Sequence, residues 1–148
     1  MKATIQINSL SHENLVDLFS VALYGSGVLA ADYNADTYAE VQQPSDECFE
    51  DKLATLLLAG KTIEIIDCCA EGEIYKNPCQ EVVRARLYNK YEDVAYELSL
   101  QDILRGINAL SDSDKLEIIG FLNDPVRFDQ SDAENILQFI LFGEQIYG

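Results

Sequence analysis

The sequence predicts an α+β fold in which a small antiparallel sheet of about four strands packs with about five helices. Segments with the alternating or β-branched pattern of strands lie mainly in the middle of the chain, whereas helical patterns lie toward both ends. The chain has 148 residues, of which 48% are hydrophobic, so a sizeable core can form. This length is that of one ordinary domain, and we expect a single acidic domain spanning residues 1–148.

The first part of the chain is predicted to hold one strand and two helices. Residues 3–8 alternate in the manner of a short strand, and Ser9 or Ser11 can cap the helix that follows. Residues 31–47 are polar and lack a clear period, so we expect a long loop with one short helical turn. Ser45 is the expected N-cap of the next helix.

The second part is predicted to hold three strands and then three helices. A β-branched run at 61–69 indicates a strand, and residues 82–89 and 94–98 indicate a hairpin. Ser99 can cap the next helix, with Asp102 completing a near capping box. Two further helices are expected at about 114–122 and 132–142, the last of them capped by Ser131.

The net charge of −16, from 26 acidic and 10 basic residues, is the strongest functional signal. A magnitude of about 2–8 is ample for the solubility of a small domain. Such a charge excludes direct binding to nucleic acid or anionic lipid, which requires clustered Lys and Arg. The acids lie mostly in the first 51 residues and the last 58, whereas residues 52–90 carry five acids and six bases.

Residues 32–51, which we call the acidic segment, interleave carboxylates with tyrosines. Aromatic side chains are enriched at binding patches, and carboxylates around them would steer a basic partner. We therefore predict a partner-binding site there, with the tyrosines as anchors; the alternative is a solvated face. Its residues are Asp32, Tyr33, Asp36, Tyr38, Glu40, Asp46, Glu47, Glu50 and Asp51.

The cysteines raise the question of a metal or redox centre, because three of the four fall in IEIIDCCAEGEIYKNPC. Cys68 and Cys69 are adjacent, and successive strand side chains point to opposite faces, so they are poorly placed for one tetrahedral ion. No C-x-x-C pair is present. We predict small, buried, free thiols and a cytoplasmic protein, since no secretory signal is recognisable; a disulfide from Cys79 to Cys68 or Cys69 is the alternative.

A calcium-loop pattern begins at Asp32-Tyr33-Asn34-Ala35-Asp36, but the rest of it fails. Thr37 stands where Gly would allow the sharp turn, and Gln43 stands where a bidentate Glu is expected. A weakly held cation and a solvated acidic turn both fit. We predict no metal site and no cofactor.

No catalytic motif is recognisable elsewhere. His12 is the single histidine, and we interpret it as a surface residue. We therefore expect no catalytic activity. The alternatives are a carboxylate- or metal-dependent hydrolase and a self-associating subunit, for example a homodimer formed through the apolar C-terminal tail. The tail's large apolar residues are Phe139, Ile140, Phe142, Ile146 and Tyr147.

The stretches FEDKLATLLLAGKTIEIID and ILQFILFGEQIYG resemble small acidic accessory proteins of bacterial prophages and mobile elements. The resemblance spans most of the chain and transfers no individual site residue. It implies a setting that includes proteins which block nucleases and CRISPR or restriction effectors, some by imitating the charge of DNA. Together with the charge, it predicts an inhibitor or adaptor that binds a basic nucleic-acid-handling protein.

Overall fold

The computed structural model describes residues 5–41 and 47–148, which form a four-stranded antiparallel sheet and six α-helices. The predicted α+β class is therefore confirmed. In chain order the elements are α1 (His12–Leu23), β1 (Leu29–Asp32), α2 (Ala35–Val41), α3 (Phe49–Leu58), β2 (Ile63–Asp67), β3 (Arg84–Leu87), β4 (Val94–Leu98), α4 (Leu100–Asn108), α5 (Asp112–Asn123) and α6 (Gln130–Phe142).

The strand order in the sheet is β1-β2-β4-β3, so β4 lies between β2 and β3 and pairs antiparallel with both. The register aligns Ala85, Tyr96 and Ile65 across three strands. Residues in register share one face. Ile65 and Tyr96 are buried there against the helices.

The opposite face of the sheet carries charged side chains beside the buried Ile66 and Ala95. The guanidinium of Arg86 donates to both carboxylate oxygens of Glu64 at 2.9 Å, and it lies 5.4 Å from the ring centre of Tyr88. The sheet is therefore one-sided, with the hydrophobic core on the helical side and a charged layer on the other.

The core forms where α1 packs against α3 on one side and α6 on the other, while α4 also packs on α6. Leu15 and Phe19 of α1, Leu53 of α3 and Ile140 of α6 are fully buried. Burying each such side chain contributes about 1.5–3 kcal/mol. These contacts hold α1 and α3 in place, and the acidic segment is attached to them.

The predicted strand at residues 3–8 is wrong over its described part, because residues 5–8 form no strand. The backbone of Ile7 bonds instead to the side-chain amide of Asn108, through its N–H at 2.8 Å and its C=O at 2.7 Å. The side chain of Asn108 thus satisfies the backbone hydrogen bonds that a neighbouring strand would otherwise satisfy. Ala3 and Thr4 lie outside the described residues.

The predicted loop at 31–47 instead begins with the end of β1 and continues into α2. Asn34 starts that helix by accepting the N–H of Thr37 at 3.0 Å. Ser45, the expected cap of α3, lies outside the described residues, and Cys48 occupies the N-cap position.

Caps at other helices follow the predicted chemistry more closely. Ser11 caps α1 and Ser99 caps α4, the latter in a capping box with Asp102. The cap of α6 is Asp129 rather than Ser131, because the helix starts one residue earlier than that serine.

The C-terminal tail docks on the chain's own core. The side-chain oxygen of Gln138 accepts the N–H groups of Ile146 and Tyr147, both at 2.9 Å. The Tyr147 hydroxyl donates to the buried carboxylate of Asp67 at 2.7 Å. The large apolar residues of the tail are therefore half-buried or buried within one copy of the chain.

Across residues 5–41 and 47–148, no helix combines the length and the apolar character needed to cross a membrane.

Candidate functional site

The described part of the acidic segment is built around an aromatic cluster between α2 and α3. The Tyr33 ring lies 5.9 Å from the Tyr38 ring and 5.7 Å from the Phe49 ring. The Lys52 ammonium lies 5.8 Å and 5.4 Å from the centres of the two tyrosine rings. Such aromatic and cation–π contacts hold the short helix α2 against α3.

The two tyrosines are engaged within the chain. The Tyr38 hydroxyl donates to Oε1 of Glu47, and Thr55 donates to Oε2 of the same carboxylate at 2.8 Å. Loss of hydration, together with this bond to Glu47, raises the pKa of Tyr38 to about 12. Both rings are half-buried. Anchoring of a partner by these tyrosines stays a prediction.

Some carboxylates of the segment form hydrogen bonds within the chain, whereas others form no ion pair with the described residues. Asp32 accepts the Tyr88 hydroxyl at 2.6 Å and the N–H of Tyr33 at 2.8 Å. Asp36 and Glu40 are exposed on α2, and neither forms an ion pair with any residue the structure describes.

Glu50 on α3 likewise has no cationic partner among residues 5–41 and 47–148. Asp46 lies outside the described residues. The only lysine on this surface, Lys52, faces the tyrosine rings rather than a carboxylate. The charges of Asp36, Glu40 and Glu50 are therefore not paired with a cation in the described part of the chain.

His12 lies against the acidic segment, which the sequence did not reveal. Its Nε2 is 3.7 Å from Oδ1 of Asp51 and 3.9 Å from Oε2 of Glu47. These three groups are the one set in the described part of the chain whose atoms converge closely enough to hold a metal ion. The packing of α1 on α3 brings them together, and no local spacing in the sequence signals it.

Two residues of the calcium-loop pattern use their side-chain oxygens within the fold. Asp32 is bonded to Tyr88, while Asn34 caps α2 through its side-chain oxygen. Their oxygen atoms therefore serve the fold of the β1–α2 connection.

The cysteines are free thiols, but the prediction that they are buried is wrong. Cys48, Cys68 and Cys69 are exposed, and Cys79 is half-buried. Cys68 and Cys69 follow the last residue of β2, where the chain turns away from the sheet, so neither enters the core. Partial loss of hydration and nearby carboxylates raise the pKa of both thiols.

The end of α5 also adjoins the first turn of α1. The side-chain amide of Asn14 donates to the carbonyl of Leu122 at the end of α5, at 3.4 Å. His12, two residues earlier, contacts Asp51 in the first turn of α3. The first turn of α1 therefore lies next to both α3 and the end of α5.

Comparison of the chain with known protein families, with curated proteins and with solved structures found no match.

Proposed function

We propose that the chain is a non-enzymatic acidic binding protein, an inhibitor or adaptor that engages a basic surface of a nucleic-acid-handling protein. The observation that carries the proposal is the uncompensated charge of Asp36, Glu40 and Glu50 on the α2–α3 pair. Carboxylates held on a packed surface can take the place of phosphates on a cationic groove. The proposed partner is a nuclease, or an effector of a CRISPR or restriction system.

Rigidity of the surface supports this function. The aromatic cluster and Lys52 fix α2 on α3 before any partner arrives, so less conformational entropy is lost on binding. The total charge of −16 would add long-range steering toward a basic partner. The proposed setting is the cytoplasm, where four free thiols stay reduced.

The test begins with a tagged pull-down from bacterial lysate, followed by elution with duplex DNA. Under the proposal, DNA displaces a nuclease, polymerase or effector component from the bait. Recovery of no protein that DNA displaces contradicts charge mimicry.

Association rates of the recovered partner then locate the contact. The double variant Asp36→Lys/Glu40→Lys should associate about tenfold more slowly at low ionic strength, and its rate should depend less on salt. The matched control, Glu73→Lys/Glu81→Lys, changes the net charge equally at exposed positions outside the segment. Equal slowing by both pairs would show that total charge, rather than this surface, drives binding. Asp32 is left intact because its carboxylate holds Tyr88.

The second candidate is a metal-dependent hydrolase, and the convergence of His12, Glu47 and Asp51 is the observation that favours it. One imidazole and two carboxylates form a ligand set that zinc accepts. Calorimetric titration with zinc, magnesium and calcium separates the two candidates. Stoichiometric binding that His12→Ala abolishes would favour the metal-dependent function over the first proposal.

A further inference from the structure

Strand β3 lies at an edge of the sheet, and two of its residues turn their backbone polar groups outward. The N–H of Tyr88 donates to the carbonyl of Asp93 at 2.7 Å, and these two residues are in register. In an antiparallel pair every second residue bonds to its partner strand, so the backbone groups of Ala85 and Leu87 face away from β4. Nothing in the described chain bonds to the N–H or C=O of Ala85 or to the N–H of Leu87.

A cavity of about 400 Å³ adjoins this edge on the helix-bearing face. Val83 and Ala85 line it from the β3 side, and Tyr96 and Leu98 line it from β4. Ile74, which is 49% exposed, also lines it. An apolar recess therefore opens beside a strand whose backbone is free to pair.

The buried polar side chains that line the cavity are already bonded within the chain, whereas Lys76 and Glu81 line it as exposed residues. The Tyr96 hydroxyl accepts the N–H of Tyr75 at 2.9 Å. The side-chain amides of Asn77 and Gln80 donate to backbone carbonyls of α6, both at 3.0 Å. A ligand entering the cavity would thus meet mainly apolar surface, which favours an apolar group over a hydrogen-bonding one.

Strand β3 itself carries two arginines and no carboxylate, while Glu97 and Glu64 of the neighbouring strands lie on the same face as the arginines. Arg84 and Arg86 project from β3 on this charged face, opposite to Ala85. Arg86 pairs with Glu64, but exposed Arg84 has no ion pair among the residues described. Carboxylates of a bound segment would be attracted to this place.

We propose that β3 binds an extended peptide segment of a partner protein, which adds to the sheet as a fifth strand. Its backbone would bond to Ala85 and Leu87. The residue opposite Ala85 shares that residue's face, so its side chain enters the cavity and should be large and apolar. The residues on either side of it point toward Arg84 and Arg86, so they should be Asp or Glu.

A second copy of the chain is a poorer occupant of this edge. Two copies would each bring a charge of −16. A symmetric pairing centred on Arg86 would also set two arginines directly opposite each other, which is unfavourable. The charged side chains of a short edge strand commonly deter pairing between copies.

Selection from a library of short randomised peptides, displayed and panned against the full chain, tests the proposal. We expect enrichment of peptides with one large apolar residue flanked by Asp or Glu. In labelled protein, the bound peptide should shift the amide resonances of Ala85 and Leu87. Failure to enrich such a pattern, or shifts confined to other strands, would overturn the proposal.

Variants then separate edge pairing from general attraction. Ala85→Pro removes an outward N–H without removing a bond to β4, and it should weaken the selected peptide about tenfold or more. Arg84→Glu should weaken it several-fold, whereas Asp36→Lys/Glu40→Lys should leave its affinity unchanged, so this proposal can fail independently of the proposed function. Unchanged affinity for Ala85→Pro would overturn it.

A further control covers the folding of the proline variant. If Ala85→Pro unfolds, the peptide is instead N-methylated at the residue opposite Ala85, and loss of binding is the expected result. Sedimentation of the unliganded chain at several concentrations completes the test. A dimer that Arg84→Glu alters would assign the edge to a second copy and overturn the peptide proposal.

Discussion

The side-chain amide of Asn108 hydrogen-bonds to both backbone polar groups of Ile7, accepting from its N–H at 2.8 Å and donating to its C=O at 2.7 Å. Nearby, the buried ammonium of Lys115 donates to the carbonyl of Ile5 at 2.8 Å. Side chains of α4 and α5 therefore hold the segment before α1 in place of a strand partner.

Replacement of Asn108 by Ala should lower the free energy of unfolding by about 2 kcal/mol or more, because both polar groups of the nearly buried Ile7 lose their partner. Urea unfolding followed by circular dichroism measures this change. Asn123→Ala is the matched control, since Asn123 is exposed and its side chain makes no hydrogen bond to the described residues. If the two variants lose equal stability, the amide contributes nothing specific.

Features of the fold that depend on neighbouring residues could be predicted from the sequence, whereas features that depend on distant contacts, such as that of Asn108 with Ile7, could not. Helix caps and the β3–β4 hairpin depend on neighbouring residues, so Ser11, Ser99 and the hairpin pattern predicted them. The alternation at residues 3–8 predicted a strand, which is wrong over its described part, because Ile7 bonds to the side chain of Asn108 and not to a neighbouring strand. Strand β1, with sequence LAAD, lacks β-branched residues and depends on distant pairing with β2.

In the candidate site, too, the composition could be predicted from the sequence, whereas the contacts formed on folding could not. The acidic and aromatic content of the segment was visible in the sequence, whereas the internal use of Tyr38 and Asp32 was not. His12 lies beside Glu47 and Asp51 because α1 packs on α3, a contact that the sequence does not signal. The exposure of Cys68 and Cys69 depended on where β2 ends, and strand ends are set by pairing between distant residues.

Asp67 should make stability depend on pH in the acidic range. Burial raises the pKa of its carboxyl above the ordinary value of 3.8, although bonds from Tyr147 and Cys69 oppose the shift. The folded state therefore holds this proton more tightly than the unfolded state, and stability falls as pH rises from 3.8 through the raised pKa. Asp67→Asn should remove that loss, so its stability relative to the wild type should be greater at about pH 7 than at about pH 4.

Urea unfolding of both proteins at the two pH values measures the difference. The control is Glu81→Gln, which removes one charge at an exposed position and so reports the general effect of the high net charge. Stability curves for Asp67→Asn and Glu81→Gln that run parallel across this pH range would contradict the assignment to Asp67.

Cys48 should become more reactive when its neighbouring carboxylate is neutralised. Its thiol donates to Oδ2 of Asp51 at 2.8 Å, and this bond is the largest of the effects that raise the pKa of Cys48. Because the thiolate is the nucleophile, Asp51→Asn should speed reaction with a disulfide reagent at mildly alkaline pH. The rate is measured after Ser replaces the other cysteines, and Asp36→Asn provides the control for loss of one charge. A rate unchanged by Asp51→Asn would show that the bond does not govern the thiol.

Gly106 should be intolerant of even a methyl group, because α4 and α6 approach each other closely there. A Cβ at this position would lie 2.5 Å from the carbonyl oxygen of Ile140 and 2.6 Å from Nε2 of Gln80. Alanine favours a helix over glycine by about 1 kcal/mol. The clash would also disturb the bond from Gln80 to Ile140, and overpacking of this kind costs about 1–3 kcal/mol in addition to the lost bond.

We therefore expect Gly106→Ala to destabilise the protein by about 2 kcal/mol, measured as the shift in urea midpoint at constant slope. Gly120→Ala in α5 is the matched control, since its Cβ would lie 3.6 Å from the Phe128 ring in ordinary contact. That variant should be neutral or stabilised by up to about 1 kcal/mol, because only the helix preference changes. A Gly106→Ala protein as stable as Gly120→Ala would mean that α6 can move away from α4 at little cost, and the close approach of the two helices would then not constrain the fold.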